Sequence, residues 1–375
     1  MDQRLNTENL KNAMEKAGFS QTALAEKLGV SREIVSKWAS GTKFPRPDKL
    51  LRLALTLELR PDDLVIREHD PAEPIVAFRK RGAPKTTSAH IARARDMGRM
   101  LSLLVPYLPY DLLVQPATLK EPSTKYDYIQ QVAAKIRSEI GVGPGDELNV
   151  SHLVKKFNDL QAVLIPVMWG RKDKHENALH IYLPDSMTTW VYLNLDTETH
   201  DFIFWMAHEL AHAYAPNLRD SKGEDFADAL AGALVFPETL AKNAYHDVCA
   251  SRSIKSRLAR LREYAECYSI SLISVYHEIN KYAGHHGSQK IDLGDAIFKA
   301  NTNFNKKHYT VSETLFNDET PDAALFIQTV SEVFDTPFFD ALKACLMERG
   351  KSAGFVQSIL DTPLLDAKGI HAELT

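Results

Sequence analysis

Phe202-Ile203-Phe204-Trp205-Met206-Ala207 is apolar without a break and runs directly into His208-Glu209-Leu210-Ala211-His212. A helix built from such a run has no polar face to offer water, so it must be buried. The same helix then carries two imidazoles and a carboxylate into the interior, where they are costly to desolvate without a partner. A metal ion is the partner that satisfies all three. An α-helix turns once in about 3.6 residues, so His208 and His212 project from one face and can meet a single ion. Glu209 stands one step round, beside it. Two neutral imidazoles holding Zn2+ leave a position for water, whose proton Glu209 would accept as general base while the water attacks a carbonyl.

A second helix beginning at Gly223 puts Glu224 and Asp228 on one face at the same spacing. Glu224 would complete a His2Glu ligand set, and Asp228 would accept a hydrogen bond from a ligand imidazole and fix its tautomer. Asp225 or Asp228 as third ligand is the rival assignment, and a pair of helices with satisfied core histidines is the plain structural alternative. Mn2+ or Fe2+ suits such a set as well as Zn2+, since affinity order alone does not decide metal choice in a cell.

Upstream, the patterning predicts helices over 126–140 and 150–157, then strands over 162–167, 178–183 and 190–194. The expected class is mainly α with a small sheet (α+β), and an edge strand beside the cleft could pair with a peptide backbone. His175, His180, Tyr192 and Tyr214 are candidates for stabilising an oxyanion. His285-His286 reads as a loop rather than a metal tract.

Val191-Tyr192-Leu193-Asn194, Ala207-His208-Glu209-Leu210-Ala211-His212 and Glu224-x-x-Ala227-Asp228-x-x-Ala231-x-x-Leu234-x-x-Pro237 resemble the ImmA/IrrE metallopeptidases. The resemblance covers about 160 residues and continues through 258–279. It implies a zincin-like domain and a zinc endopeptidase that cuts a DNA-binding repressor in stress response or mobile-element control. His208, His212 and Glu224 would be the ligands and Glu209 the general base. Ala211 stands where the family commonly has Gly, and Asp228 where Asn is common.

The formal net charge of −4 hides an asymmetry: residues 1–100 hold 19 of the 45 Lys+Arg and 13 of the 49 Asp+Glu, leaving 26 against 36 for the rest. A basic end on an acidic body suggests that the N-terminal part meets a polyanion. There, helices are expected over 9–16, 21–28, 32–41 and 48–57, with Ser20 and Ser31 as N-caps and Gly29 supplying the turn's positive φ. Leu24, Ala25, Leu28, Val30, Val35 and Trp38 would form the core, leaving Arg32, Glu33, Ser36 and Lys37 outward as on a recognition helix. The run QTALAEKLGVSREIVSKWASG, residues 21–41, resembles the Xre/Cro-type helix-turn-helix repressors. That resemblance implies a five-helix all-α DNA-binding domain, with Gln21 on phosphate and Arg32, Ser36 and Lys37 on base edges or backbone. Such domains read two half-sites as dimers, so self-association is expected.

The resulting division is 1–66 helix-turn-helix domain, 67–125 basic linker and connector helix, 126–286 metallopeptidase domain, and 287–375 a helical region without visible chemistry. The linker carries Arg79-Lys80-Arg81, a solvated charge run. Three scattered cysteines, Cys249, Cys267 and Cys345, argue for free thiols in a reducing compartment. With no leader-like start and no apolar run long enough for a membrane span, the expected setting is cytoplasmic. The expected whole is a regulator that binds operator DNA and cleaves a protein, a repressor or toxin encoded nearby or another copy of itself. The alternative is a non-proteolytic repressor or antitoxin using the zinc domain as a sensor or docking fold.

Overall fold

The structure, a computed structural model, describes residues 3–57, 59, 61–67, 73–78, 88–110, 118–170, 177–216, 218 and 220–375. The chain divides into two compact units, Met1–Glu73 and Pro74–Thr375.

In the first unit, β1 (Gln3–Leu5) leads into α1 (Thr7–Lys16), α2 (Gln21–Leu28), α3 (Arg32–Ala39) and α4 (Pro47–Thr56). The α2–α3 turn is set locally. Ser20 caps α2 by accepting from the Ala23 N–H, Gly29 ends it at φ 62°, and Ser31 caps α3 by accepting from the Ile34 N–H. Leu10, Leu24, Val35, Trp38, Leu53 and Leu64 close a core of their own. Two expectations need correction. A 3-10 turn at Pro61–Leu64 stands where a fifth helix was expected, and β2 (Val65–Arg67) pairs antiparallel with β1, so the unit is not purely α.

The second unit is built on a four-stranded sheet of β3 (Ile75–Phe78), β4 (Val163–Val167), β5 (Ala178–Leu183) and β6 (Thr188–Asn194) in the order β3-β5-β6-β4. Only β4 and β6 run parallel. In chain order its helices are α5 (Ser88–Leu101), α6 (Tyr126–Glu139), α7 (Val150–Asp159), α8 (Thr199–Tyr214), α9 (Asp220–Val235), α10 (Glu238–Ala250), α11 (Ile254–Cys267) and α12 (Leu272–His285). They continue as α13 (Ala296–Asn305), α14 (Val311–Phe316), α15 (Ala323–Phe334), α16 (Phe338–Arg349), α17 (Ala353–Leu360) and α18 (Leu364–Leu374).

Helices cover the sheet on both sides. His180 of β5 faces α8, whose Glu209 lies 3.8 Å away, while its neighbour Ile181 faces α5. On the α5 side the Tyr192 hydroxyl donates to the Ile359 carbonyl of α17 at 2.7 Å. This explains why β4, β5 and β6 read as near-continuous apolar runs: strands packed on both faces have no side for water.

The boundaries expected at 125/126 and 286/287 do not separate compact units. Ile75–Phe78, read as linker, is a strand of the sheet, and the connector helix α5 lies on it. One core runs from Ala94 to Leu374. The C-terminal helices belong to it because their apolar faces find the sheet: Trp169 donates to the Leu360 carbonyl, and α15 and α16 pack on β4. The polar stretch 306–320 holds α14, and its Val311 and Ser312 N–H groups donate to Thr197 and Leu195 just before α8. Arg79, Lys80 and Arg81 lie outside the described residues.

A chain spanning residues 74–286 is therefore expected to lack the cooperative transition of the whole second unit. Urea unfolding followed by near-UV circular dichroism should show no sigmoid, whereas a sharp transition would restore the separate-domain division.

Candidate metal centre and DNA-reading helix

α8 is buried nearly all round, as its composition demands, with His208, Glu209 and His212 at 0%, 2% and 6% exposure. It packs against α9, which brings Glu224 and Asp228 to the same side chains. His208 Nε2 and His212 Nε2 lie 3.1 Å apart, and the two Glu224 carboxylate oxygens lie 3.4 Å from them, one on each ring. Three donors bonded to one ion at about 2.0–2.1 Å in tetrahedral geometry stand about 3.3 Å apart. The observed spacing fits.

The proton positions point the same way. Asp228 Oδ1 is 3.1 Å from His208 Nδ1, so that nitrogen carries a proton in either charge state and Nε2 is the atom an ion would take from the cluster side. Glu224 Oε2 is buried without a hydrogen-bond donor. Burial disfavours the His208 imidazolium, yet Asp228, Glu224 and Glu209 outweigh it and lift its pKa to about 9. Burial likewise favours a neutral Glu224, but His208 and His212 hold it down to about 2. A cluster that raises an imidazole and depresses a carboxylate favours positive charge at its centre. Among the described residues, His208, His212 and Glu224 are the group whose donor atoms converge tightly enough for a metal ion.

The rival ligands separate on geometry. Asp225 is exposed on the outer side of α9, and Asp228 faces the Nδ1 side of His208, away from the point where the Nε2 atoms meet. Of the oxyanion candidates, only His180 is placed here. It is 4% exposed, its ring centroid lies 5.7 Å from that of His212, and its Nδ1 is 3.8 Å from Glu209 Oε2. Burial, then the neighbouring His212 and His208, push its pKa down to about 3, so it is a neutral imidazole. The signal in the sequence was a histidine inside an apolar strand. Tyr192 is a packing residue bonded to α17, Tyr214 is the last residue of α8 with its pKa raised by burial and opposed by Lys156, and His175 lies outside the described residues. His285 and His286 pair with Asp127 and Glu238 at 2.9 and 2.8 Å and hold no metal geometry.

In the first unit, Arg32, Ser36 and Lys37 are exposed on α3 and Gln21 is half-buried at the start of α2. Lys37 is bonded to Glu33 at 2.8 Å, an exposed pair one turn apart. An exposed pair is worth little, so Lys37 can exchange it for a phosphate at small cost.

The helix-turn-helix family HTH_3 matches residues 10–64, identifying them as a DNA-binding domain of the kind that transcription regulators carry. No curated protein and no solved structure matches the chain. Among the described residues, no helix is long and apolar enough to cross a membrane.

Asp228→Ala should weaken zinc binding by about 10–100-fold, because the His208 ring loses the group that orients it. Titration calorimetry reads this directly, and unchanged affinity would remove Asp228 from the site.

Proposed function

We propose that this chain is a DNA-binding regulator whose larger unit is a metal-dependent endopeptidase. The observation that supports this most is the convergence of His208 Nε2, His212 Nε2 and the Glu224 carboxylate with a buried Glu209 beside them. Those three residues would hold a divalent ion, with zinc the best match to the donor set and manganese or iron compatible with it. Bound there, the ion would supply Lewis acidity to a scissile carbonyl and to the attacking water.

The chain's own residues carry the rest. Glu209 accepts the proton of the attacking water and returns it to the leaving amine, which restores the carboxylate. Asp228 keeps His208 in the tautomer that directs Nε2 inward. His180, held neutral, can donate one hydrogen bond without adding charge. It is placed to orient Glu209 or to steady the developing negative charge on the carbonyl oxygen. Phe204 and Trp205, whose ring centroids lie 6.4 and 5.7 Å from that of His208, form an aromatic wall on one side of the cluster.

The substrate best suited to the architecture is a DNA-bound regulatory protein. A helix-turn-helix on the same chain raises the local concentration of the peptidase where such a protein sits. α3 would lie in the major groove, with Arg32, Ser36 and Lys37 toward bases and phosphates and Gln21 on the backbone.

Glu209→Gln should abolish cleavage of a co-encoded repressor while zinc content, measured by atomic emission, stays at one per chain. Full residual proteolysis would sink the assignment. Arg32→Ala should weaken operator binding and flatten its log K against log salt slope by about one. An unchanged slope in a gel-shift series would place Arg32 off the DNA.

A further inference from the structure

The strand position beside the metal cluster is already filled. β5 carries His180 to Glu209, and one edge of β5 is bonded to β6. Its other edge is covered by β3 in antiparallel register, with Ile75 opposite Tyr182, Val76 opposite Ile181, Ala77 opposite His180 and Phe78 opposite Leu179. Left bare, that edge would present a row of backbone N–H and C=O groups, which is the surface an extended polypeptide binds by adding a strand.

We propose that β3 is the chain's own occupant of the strand position on the outer edge of β5, where the peptidase reading would seat a substrate, and that an extended polypeptide gains this position only by exchange with β3. An incoming strand must displace β3, and its residue opposite His180 takes the place of Ala77. The word substrate rests on the peptidase reading above; the exchange of one strand for another does not.

Three observations carry it. First, the register fixes β3 opposite His180, the β5 residue that approaches the general base, rather than at a remote part of the sheet. Second, β3 is only four residues long and reads Ile-Val-Ala-Phe, an uncharged and partly β-branched segment. A strand this short contributes few rungs, so a longer segment of the same character can outcompete it. Third, the start of β3 is seated by one close approach. A Cβ on Gly98 of α5 would fall 2.6 Å from the Pro74 Cβ and 3.1 Å from Ile181 Cγ2, so only glycine lets α5 close over both strands. β3 also follows directly on the helix-turn-helix unit, which ends at Glu73.

In an antiparallel ladder, alternate residues of a strand direct their N–H and C=O groups at the partner. One of the two substitutions Val76→Pro and Ala77→Pro must therefore remove a rung. The probe is a fluorescein-labelled peptide copying residues 73–80, followed by anisotropy with zinc-loaded full-length protein. Wild type should bind it weakly, because the tethered β3 competes at high effective concentration. At least one proline variant should bind it roughly tenfold more tightly or better. Hydrogen exchange should then show new protection in 178–183, and the Glu209→Gln background should bind equally well. The same variant should cleave casein several-fold faster than wild type. If the proline variants lose cooperative unfolding, Gly98→Ala, which crowds Pro74 without altering β3, takes their place in each measurement. Peptide affinity unchanged in every folded variant, or protection appearing away from β5, overturns the proposal. Peptide binding gained with no casein cleavage in any zinc-loaded variant upholds the strand exchange and instead refutes the peptidase reading.

Discussion

Two helices are held together by ionisable groups in an otherwise apolar interior, and the second unit is organised around that fact. His208 and His212 on α8 face Glu224 and Asp228 on α9 across 3.1 to 3.4 Å. Removing one partner from such a buried set leaves a charge uncompensated, at a cost of about 3–5 kcal/mol. The arrangement persists because each group answers another: Asp228 holds the outer nitrogen of His208, and Glu224 answers both inner nitrogens. The histidines of that exchange are buried, while Glu224 and Asp228 keep 27% and 31% of their side-chain surface open.

One turn beyond Asp228, on the same face of α9, a second buried carboxylate packs against Gly232. Glu278 on α12 is 3% exposed; burial raises its pKa, while Lys281, at 2.6 Å, acts to lower it. It sits against Gly232, where a Cβ would fall 2.0 Å from the Glu278 carboxylate and push that side chain aside. Glu224, Asp228 and Gly232 follow at four-residue steps, so one face of α9 carries both the cluster's carboxylates and the gap that α12 fills. The metal-type site and the helical layer behind it are thus set by one helix.

The sheet contributes more than a platform. β5 delivers His180 to Glu209 on one face and Ile181 to α5 on the other, and its outer edge accepts residues that continue directly from the DNA-reading unit. In sequence β3 follows the first unit, which ends at Glu73.

Local spacing determined a good deal of this. The i, i+4 pairs His208/His212 and Glu224/Asp228 follow from helical geometry alone, and Ser20, Gly29 and Ser31 bracket α2 and α3 because caps and positive-φ turns act within a few residues. What only the tertiary structure decided lies in contacts between distant segments. That Asp225 points outward while Asp228 holds a ring depends on how α9 is rotated against α8. That His180 reaches the cluster depends on which face of β5 meets α8. β3 was illegible because four residues between prolines and charges are too short to display a period of two. Its identity as a strand comes from residues 179–182, about a hundred positions away. The C-terminal helices were visible as helices, but their place in the same core was not, since an amphipathic face states that it must be covered without saying by what.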